Sequence, residues 1–225
     1  MLFLNSINSY FKMRTNIKSQ YIMLFSISVL VFSDLYFRNY LLTRDVFYDF
    51  FSNQMSNEQI ENFINNQEKW SFLIYIIIPT IYILKISLTS ICIYIGFYFY
   101  QNDKIQLRDI MGKVIKADLI FLIPILLKTL WFSLGNINFN LEDFQYFSPI
   151  SLLNIFEVSM IQKWLIYPLQ AINIFEVAFW LILGYQLKTF LKNDFTKSFK
   201  LVLASYGSGF IIWIIFVVFL TLNLT

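Results

Sequence analysis

Five long apolar stretches constrain this chain more than any other feature of its sequence. A helix needs about 20 mostly apolar residues to cross roughly 30 Å of hydrocarbon, and its backbone hydrogen bonds are satisfied within the segment. The composition agrees, because 58% of the residues are hydrophobic and only 14% are charged. We therefore predict an all-α, polytopic membrane helix bundle that forms a single integral membrane domain over residues 1–225. Its five transmembrane helices are expected at about 21–42, 71–100, 114–134, 164–187 and 201–222.

The second stretch is too long for one perpendicular crossing. About 30 helical residues would measure ~45 Å. Two full crossings would not fit into that length, so the sequence predicts one helix that is tilted or projects outward, with a kink near Pro79.

The distribution of lysine and arginine predicts the orientation. Eleven of these residues lie before the first stretch or between stretches two and three and between four and five, whereas only four lie on the other side. Because basic residues favour the cytoplasmic side, we expect an N-in/C-out topology. Residues 1–20 would form an inner amphipathic segment. The expected location is the inner (cytoplasmic) membrane of a bacterium.

A short amphipathic helix is predicted in the first outer loop. Ser56 and Gln59 have the spacing of a capping box, and Met55 with Ile60 fits the matching hydrophobic staple. Ile60, Phe63 and Ile64 would then share one face. This face could rest on the lipid surface or contact a partner protein.

The pentapeptide Asn-Ile-Phe-Glu-Val occurs twice, each time five residues after a proline. The first copy ends an outer segment in which Ser148 and Pro149 are predicted to start a helix. Its Glu157 is expected at the outer surface. The second copy lies inside span four, so its Glu176 is expected near the middle of the membrane.

Four charged residues interrupt the spans, namely Asp34, Lys85, Lys128 and Glu176. At ~1.5 Å per residue, all four would lie at similar depths. Lone charges in hydrocarbon are disfavoured, so we expect a network in the bundle interior, with Lys128 or Lys85 as the partner of Glu176. The network could fix helix register, or it could line an aqueous cavity that carries protons, ions or a substrate. Asp118 is assigned to the inner interface.

The fifth span contains small residues at spacings that allow another helix to approach closely. We predict a helix-packing face there, and its partner could belong to this chain or to another subunit. The face comprises Ala204, Ser205, Gly207, Ser208 and Gly209.

Several kinds of chemistry find no support in the sequence. Without histidine there is no HExxH zinc site and no histidine-based catalytic triad, and no GxxxxGK[ST] phosphate loop occurs. We expect no enzyme activity, no cofactor, no metal site and no nucleic-acid partner.

Two segments, "WSFLIYIIIPTIYILKIS" and "WLIYPLQAINIFEVAFWLILGYQLK", together with the five-span N-in pattern, resemble the Yip1-like membrane proteins and their poorly characterised bacterial relatives. The acidic DLYGP-type segment of eukaryotic members is absent. The resemblance covers the membrane region as a pattern and implies an interaction or scaffold protein.

The leading functional hypothesis is a membrane accessory or scaffold subunit of a larger assembly, such as transport or secretion machinery. Its expected partners are membrane lipids and at least one other membrane protein. The alternative is a small proton- or ion-coupled transporter that uses the intramembrane charges. Five helices without inverted repeats argue against a stand-alone secondary transporter.

Overall fold

The structure is a computed structural model that describes residues 2–100, 105–135 and 139–224; side chains are described from residue 18 onward, except at 135 and 159. The regular elements of this part are helices, and one isolated β-bridge pairs Ser151 with Asn173. The α-helices are α1 (Leu2–Tyr36), α2 (Arg44–Phe51), α3 (Asn57–Trp70), α4 (Ile74–Tyr100), α5 (Leu107–Asp118), α6 (Leu122–Leu130), α7 (Leu141–Tyr146), α8 (Lys163–Ala171), α9 (Ile174–Leu187), α10 (Phe195–Val202) and α11 (Ser208–Leu224).

Three helical stretches of the described chain are long and apolar enough to cross a membrane, by length and composition. They are Lys18–Leu41, Asn57–Tyr100 and Phe195–Leu224. This confirms the helical fold class and is compatible with a membrane protein. The five spans and the N-in/C-out orientation remain predictions.

The first predicted span and the N-terminal segment form one helix, α1, followed by a π-helical turn over Phe37–Leu41. The second predicted span is likewise a single helix, with Pro79 inside α4. It continues from α3 through a 3-10 turn at Ser71–Leu73. The helical run is therefore longer than the predicted span.

The capping box that opens α3 is confirmed. The Ser56 side chain accepts a hydrogen bond from the Gln59 backbone N–H, and the Gln59 side chain accepts one from the Ser56 N–H. Ile60 and Ile64 are buried, and the Phe63 ring contacts Phe51. The apolar face of α3 thus packs against α2, with Phe63 still partly exposed, and its predicted contact with lipid or a partner protein remains untested.

Predicted span three contains a 3-10 turn, and predicted span four is interrupted. Between α5 and α6 the chain makes a 3-10 turn at Leu119–Phe121. Between α8 and α9 the helix stops at Ile172–Asn173, beyond the bend expected from Pro168. A proline removes one backbone donor, and Asn173 supplies the side chain that a new helix start needs. Glu176 therefore lies in the first turn of α9, so the prediction of one continuous helix through span four was wrong, while the depth of Glu176 in a membrane remains a prediction.

The two copies of the pentapeptide lie in segments that contact each other. The Leu152 N–H donates to the Ile172 carbonyl at 3.0 Å, and the Ile174 N–H donates to the Ile150 carbonyl at 3.2 Å. Ile150 has a φ of 55°, which is rare for a β-branched residue. The chain after it forms a 3-10 turn at Leu152–Ile155.

The helix start predicted at Ser148 and Pro149 does not form, because this backbone bonds to the break in span four instead. Glu157 is exposed, as expected.

The main core lies between α4, α5, α9 and α10, with α1 against it. A second, smaller cluster surrounds Phe132 and Phe144, near the start of α7. The buried residues of the main core are mostly branched and aromatic, and they include Ile86, Ile93, Ile110, Val114, Phe179, Leu183, Leu187 and Val202.

Most of the small face of span five packs within the chain. A Cβ atom on Gly96 of α4 would lie 2.6 Å from the Ser205 Cβ, so only glycine fits there. Gly209 faces Cys92, and Gly207 faces the Trp180 ring. Ala204 and Ser208 remain exposed. The intrachain partner expected from the sequence is therefore confirmed for Ser205, Gly207 and Gly209, whereas contact of Ala204 and Ser208 with another subunit remains a prediction.

Candidate functional site

The carboxylate of Glu176 lies at the centre of a buried polar group in the broken fourth segment. Its residue is 8% exposed. The Trp180 indole N–H donates to Glu176 Oε1 at 2.7 Å, and the Tyr206 hydroxyl donates to the same oxygen at 2.9 Å. Two neutral donors from different helical segments thus converge on one carboxyl oxygen.

Local sequence explains how these groups reach one another. Asn173 caps α9 by accepting a hydrogen bond from the Glu176 backbone N–H at 2.9 Å. Its amide group also donates to the carbonyls of Gln170 and Ala171, where α8 ends. One side chain therefore satisfies backbone groups on both sides of the break, and this fixes the start of α9. Trp180 follows Glu176 by four residues, on the same face of the helix.

Tyr206 comes from a π-helical turn, Leu203–Gly207, that precedes α11. Its ring packs edge-on against Phe179, with 5.2 Å between ring centroids, and against Trp180. Aromatic packing of this kind restricts the ring and keeps its hydroxyl directed at Glu176.

Lys85 and Asp118 form a separate ion pair. The Lys85 ammonium lies 2.6 Å from Asp118 Oδ1 and 3.9 Å from the centre of the Phe121 ring. Asp118 is only 3% exposed, so its side chain lies in the protein interior, while its expected depth at the inner interface remains a prediction. The 3-10 turn at Leu119–Phe121 follows Asp118 directly and places Phe121 beneath the same ammonium group.

The two remaining predicted charges also have partners of their own. Asp34 accepts a hydrogen bond from the Arg38 guanidinium at 2.8 Å, one helical turn away. The Lys128 ammonium lies 3.8 Å from the centre of the Phe144 ring and 5.8 Å from that of Phe37.

The four predicted residues make no ion pairs with one another in the described part of the chain, although Lys85 lies close enough to Glu176 for their charges to interact. Lys85 and Lys128 are not ion-pair partners of Glu176 in the described part of the chain. Sequence reasoning missed Trp180 and Tyr206 because it searched for opposite charges, whereas neutral donors bind the carboxyl group. The spacing of Asn173 and Glu176 is the signal that could have revealed the helix start.

The chemistry open to this site is limited. A buried carboxyl group held by two donors can stabilise a helix break, or it can bind and release a proton. Among the described residues, no group of three or more His, Cys, Asp or Glu side chains is placed to hold a metal ion.

Comparison of the chain with models of known protein families, with curated proteins and with solved structures gave no match. The fold and the site define an all-helical protein with three helices long and apolar enough to cross a membrane. Its distinguishing feature is a buried carboxyl group at a helix break.

Proposed function

We propose that this chain is an integral membrane accessory or scaffold subunit whose intramembrane polar groups hold the bundle together. The observation that supports this most strongly is the local pairing of Asp34, Lys85, Lys128 and Glu176. Each has its own short-range partners, and these partners differ. Separate pairs suit a structural role better than a conduction path, which needs groups that exchange protons or ions with one another.

Burial cost explains why such pairs would be retained. A charge in the middle of a membrane helix costs ~2.5–3.5 kcal/mol on insertion scales, unless a partner compensates for it. Two donors on one Glu176 oxygen and an ammonium on Asp118 provide that compensation. Two of these contacts join different helical segments, Lys85 with Asp118 and Tyr206 with Glu176, and these two also fix which faces of the helices meet.

A second membrane protein is the proposed partner, and Ala204 with Ser208 is its proposed contact. These residues are exposed, whereas Ser205, Gly207 and Gly209 already pack against α4 and α9. Small side chains four residues apart permit close approach of another helix. The exposed apolar residues elsewhere on α4 and α11 would contact lipid. An inner bacterial membrane, the N-in/C-out topology and the Yip1-like relationship remain part of this proposal.

Co-purification tests the proposed contact. The tagged chain is extracted from its native membrane in mild detergent, and the accompanying membrane proteins are identified. We expect at least one stoichiometric partner, which Ser208→Phe displaces. Ile83→Phe is the matched control, because it enlarges an exposed residue on α4. A monodisperse single chain would contradict the proposal, as would equal loss of the partner in both variants.

The transporter alternative has its own supporting observation. Broken helices whose half-helix ends lie at a polar group are common at transporter binding sites. Here Glu176 lies in the first turn after such a break and is buried. This alternative predicts a proton flux that depends on the Glu176 carboxyl group.

A further inference from the structure

A cavity of about 710 Å³ opens between α1, the α2–α3 pair, α6 and α7, away from Glu176. We name it the Lys128 cavity. Its volume lies within the range of small-molecule sites. Aromatic and aliphatic side chains form much of its wall, including Phe37, Phe47, Phe63 and Phe144.

The positive and negative charges that line the Lys128 cavity do not cancel. Asp34 pairs with Arg38 at 2.8 Å, and Glu68 pairs with Arg44 at 2.9 Å. Lys128 also lines the cavity, and no described carboxylate lies within ion-pair distance of its ammonium. The ionised lining residues therefore carry one net positive charge, which is compensated only by the faces of two aromatic rings.

The position of the cavity indicates where its occupant comes from. Exposed aromatic side chains lie close to it in the sequence: Tyr75 lines the cavity, Tyr40 and Trp70 each adjoin a lining residue, and Trp131 follows Lys128 by three residues. Tryptophan and tyrosine concentrate at the level of lipid headgroups in membrane proteins. A cavity at this level, with apolar walls and an ammonium group that contacts ring faces but no carboxylate, is open to a molecule that has both an acyl chain and an anionic headgroup.

We infer that the Lys128 cavity binds the headgroup of an anionic phospholipid, with Lys128 contacting the phosphate. A phosphate gains both charge attraction and hydrogen bonds from an ammonium group. A zwitterionic lipid would also bring an ammonium group of its own, for which no free carboxylate is present, because Asp34 and Glu68 are already paired with arginines.

Measuring the lipid selectivity of the protein tests this proposed binding directly. The purified chain is reconstituted in phosphatidylcholine bilayers with a small fraction of chain-labelled phosphatidylglycerol or chain-labelled phosphatidylcholine. The protein-bound fraction of each probe is then determined by electron spin resonance. An ammonium group in direct contact with an anionic headgroup contributes a preference on the order of fivefold for that lipid. We expect a preference of this order in the native chain, and no preference would overturn the proposal.

Three variants assign the preference to the cavity. Lys128→Met should abolish it and Lys128→Arg should retain it. Asn39→Asp should reduce it by adding a negative charge at an exposed lining residue, with little risk to folding. Lys188→Met is the matched control, since Lys188 also lies over a ring, that of Tyr185, but not in this cavity. Equal loss in the Lys188 control, or an unchanged preference in Asn39→Asp, would refute the assignment.

Discussion

Replacing Glu176 by leucine should destabilise the protein more than replacing it by glutamine. Leucine removes the acceptor of two hydrogen bonds, those from the Trp180 indole and the Tyr206 hydroxyl. A buried donor left without an acceptor costs ~1–3 kcal/mol, so two would cost ~2–6 kcal/mol. Glutamine retains an oxygen where both donors converge. It loses only the difference between charged and neutral hydrogen bonds, up to ~1–2 kcal/mol for each.

Unfolding by an anionic detergent, followed by tryptophan fluorescence, would give these free energies in mixed micelles. Tyr206→Phe and Trp180→Phe are the single-donor controls, and each should lose less than Glu176→Leu. Glu176→Leu with native stability would refute the structural role of the carboxyl group. So would a variant order in which glutamine is the more damaging substitution.

The partner of Glu176 can be tested separately. Lys128 contacts Phe144 and Phe37 and makes no ion pair with Glu176 in the described chain. The effects of Glu176→Gln and Lys128→Met should therefore add within about 0.5 kcal/mol, as they do for sites without shared partners. A double variant more stable than the sum of the two single losses predicts would instead support the ion pair expected from the sequence.

Four further outcomes are expected. Gly96→Ala should lower the free energy of unfolding by ~1–3 kcal/mol, because the added methyl group overpacks against Ser205. Adding Ser205→Gly should restore much of this loss in the same unfolding assay, and additive losses would contradict the close contact. Ser56→Ala should cost ~0.5–2 kcal/mol and increase hydrogen exchange in the first turn of α3, whereas unchanged exchange would argue against the capping box. The backbone N–H of Lys197 donates to the Asp194 carboxylate and lowers the pKa of Asp194, so this cap should stabilise α10 above the ordinary aspartate pKa and be lost as the pH falls through the lowered value. Faster hydrogen exchange of the Lys197 amide at low pH would show the loss, and Asp194→Asn should remove the pH dependence. Finally, a cysteine at position 54 should react with an impermeant reagent in intact cells and one at position 105 should not, and the reverse pattern would overturn the predicted orientation.

The sequence predicted those features that depend on neighbouring residues. Ser56 and Gln59 are three residues apart, and their reciprocal bonds form within one turn. The long apolar run that ends at Tyr100 is also one helix, as its length required. In both cases the determining interactions are local, so the order of residues was sufficient.

The two pentapeptides show where local information ends. Asn154 with Glu157 and Asn173 with Glu176 have the same spacing, but only Asn173 caps an α-helix. The first copy instead follows a segment whose backbone bonds to the second. That choice depends on contacts between residues about 20 positions apart, which periodicity does not reveal.

The site itself was predicted in part. The burial of Glu176 was expected, but its donors were not. Trp180 lies one helical turn away and could have been proposed from its spacing. Tyr206 reaches Glu176 only because a π-helical turn and three packed rings orient it, and this is a property of the tertiary structure.

Proton flux tests the central claim most directly, namely that Glu176 supports the bundle and does not carry protons. Purified native chain and Glu176→Gln are reconstituted in liposomes that enclose a pH-sensitive dye, and a potassium gradient with valinomycin drives proton entry. The account predicts that both give the same rate as protein-free liposomes. A native flux above that background, abolished in Glu176→Gln while the variant remains folded, would contradict it.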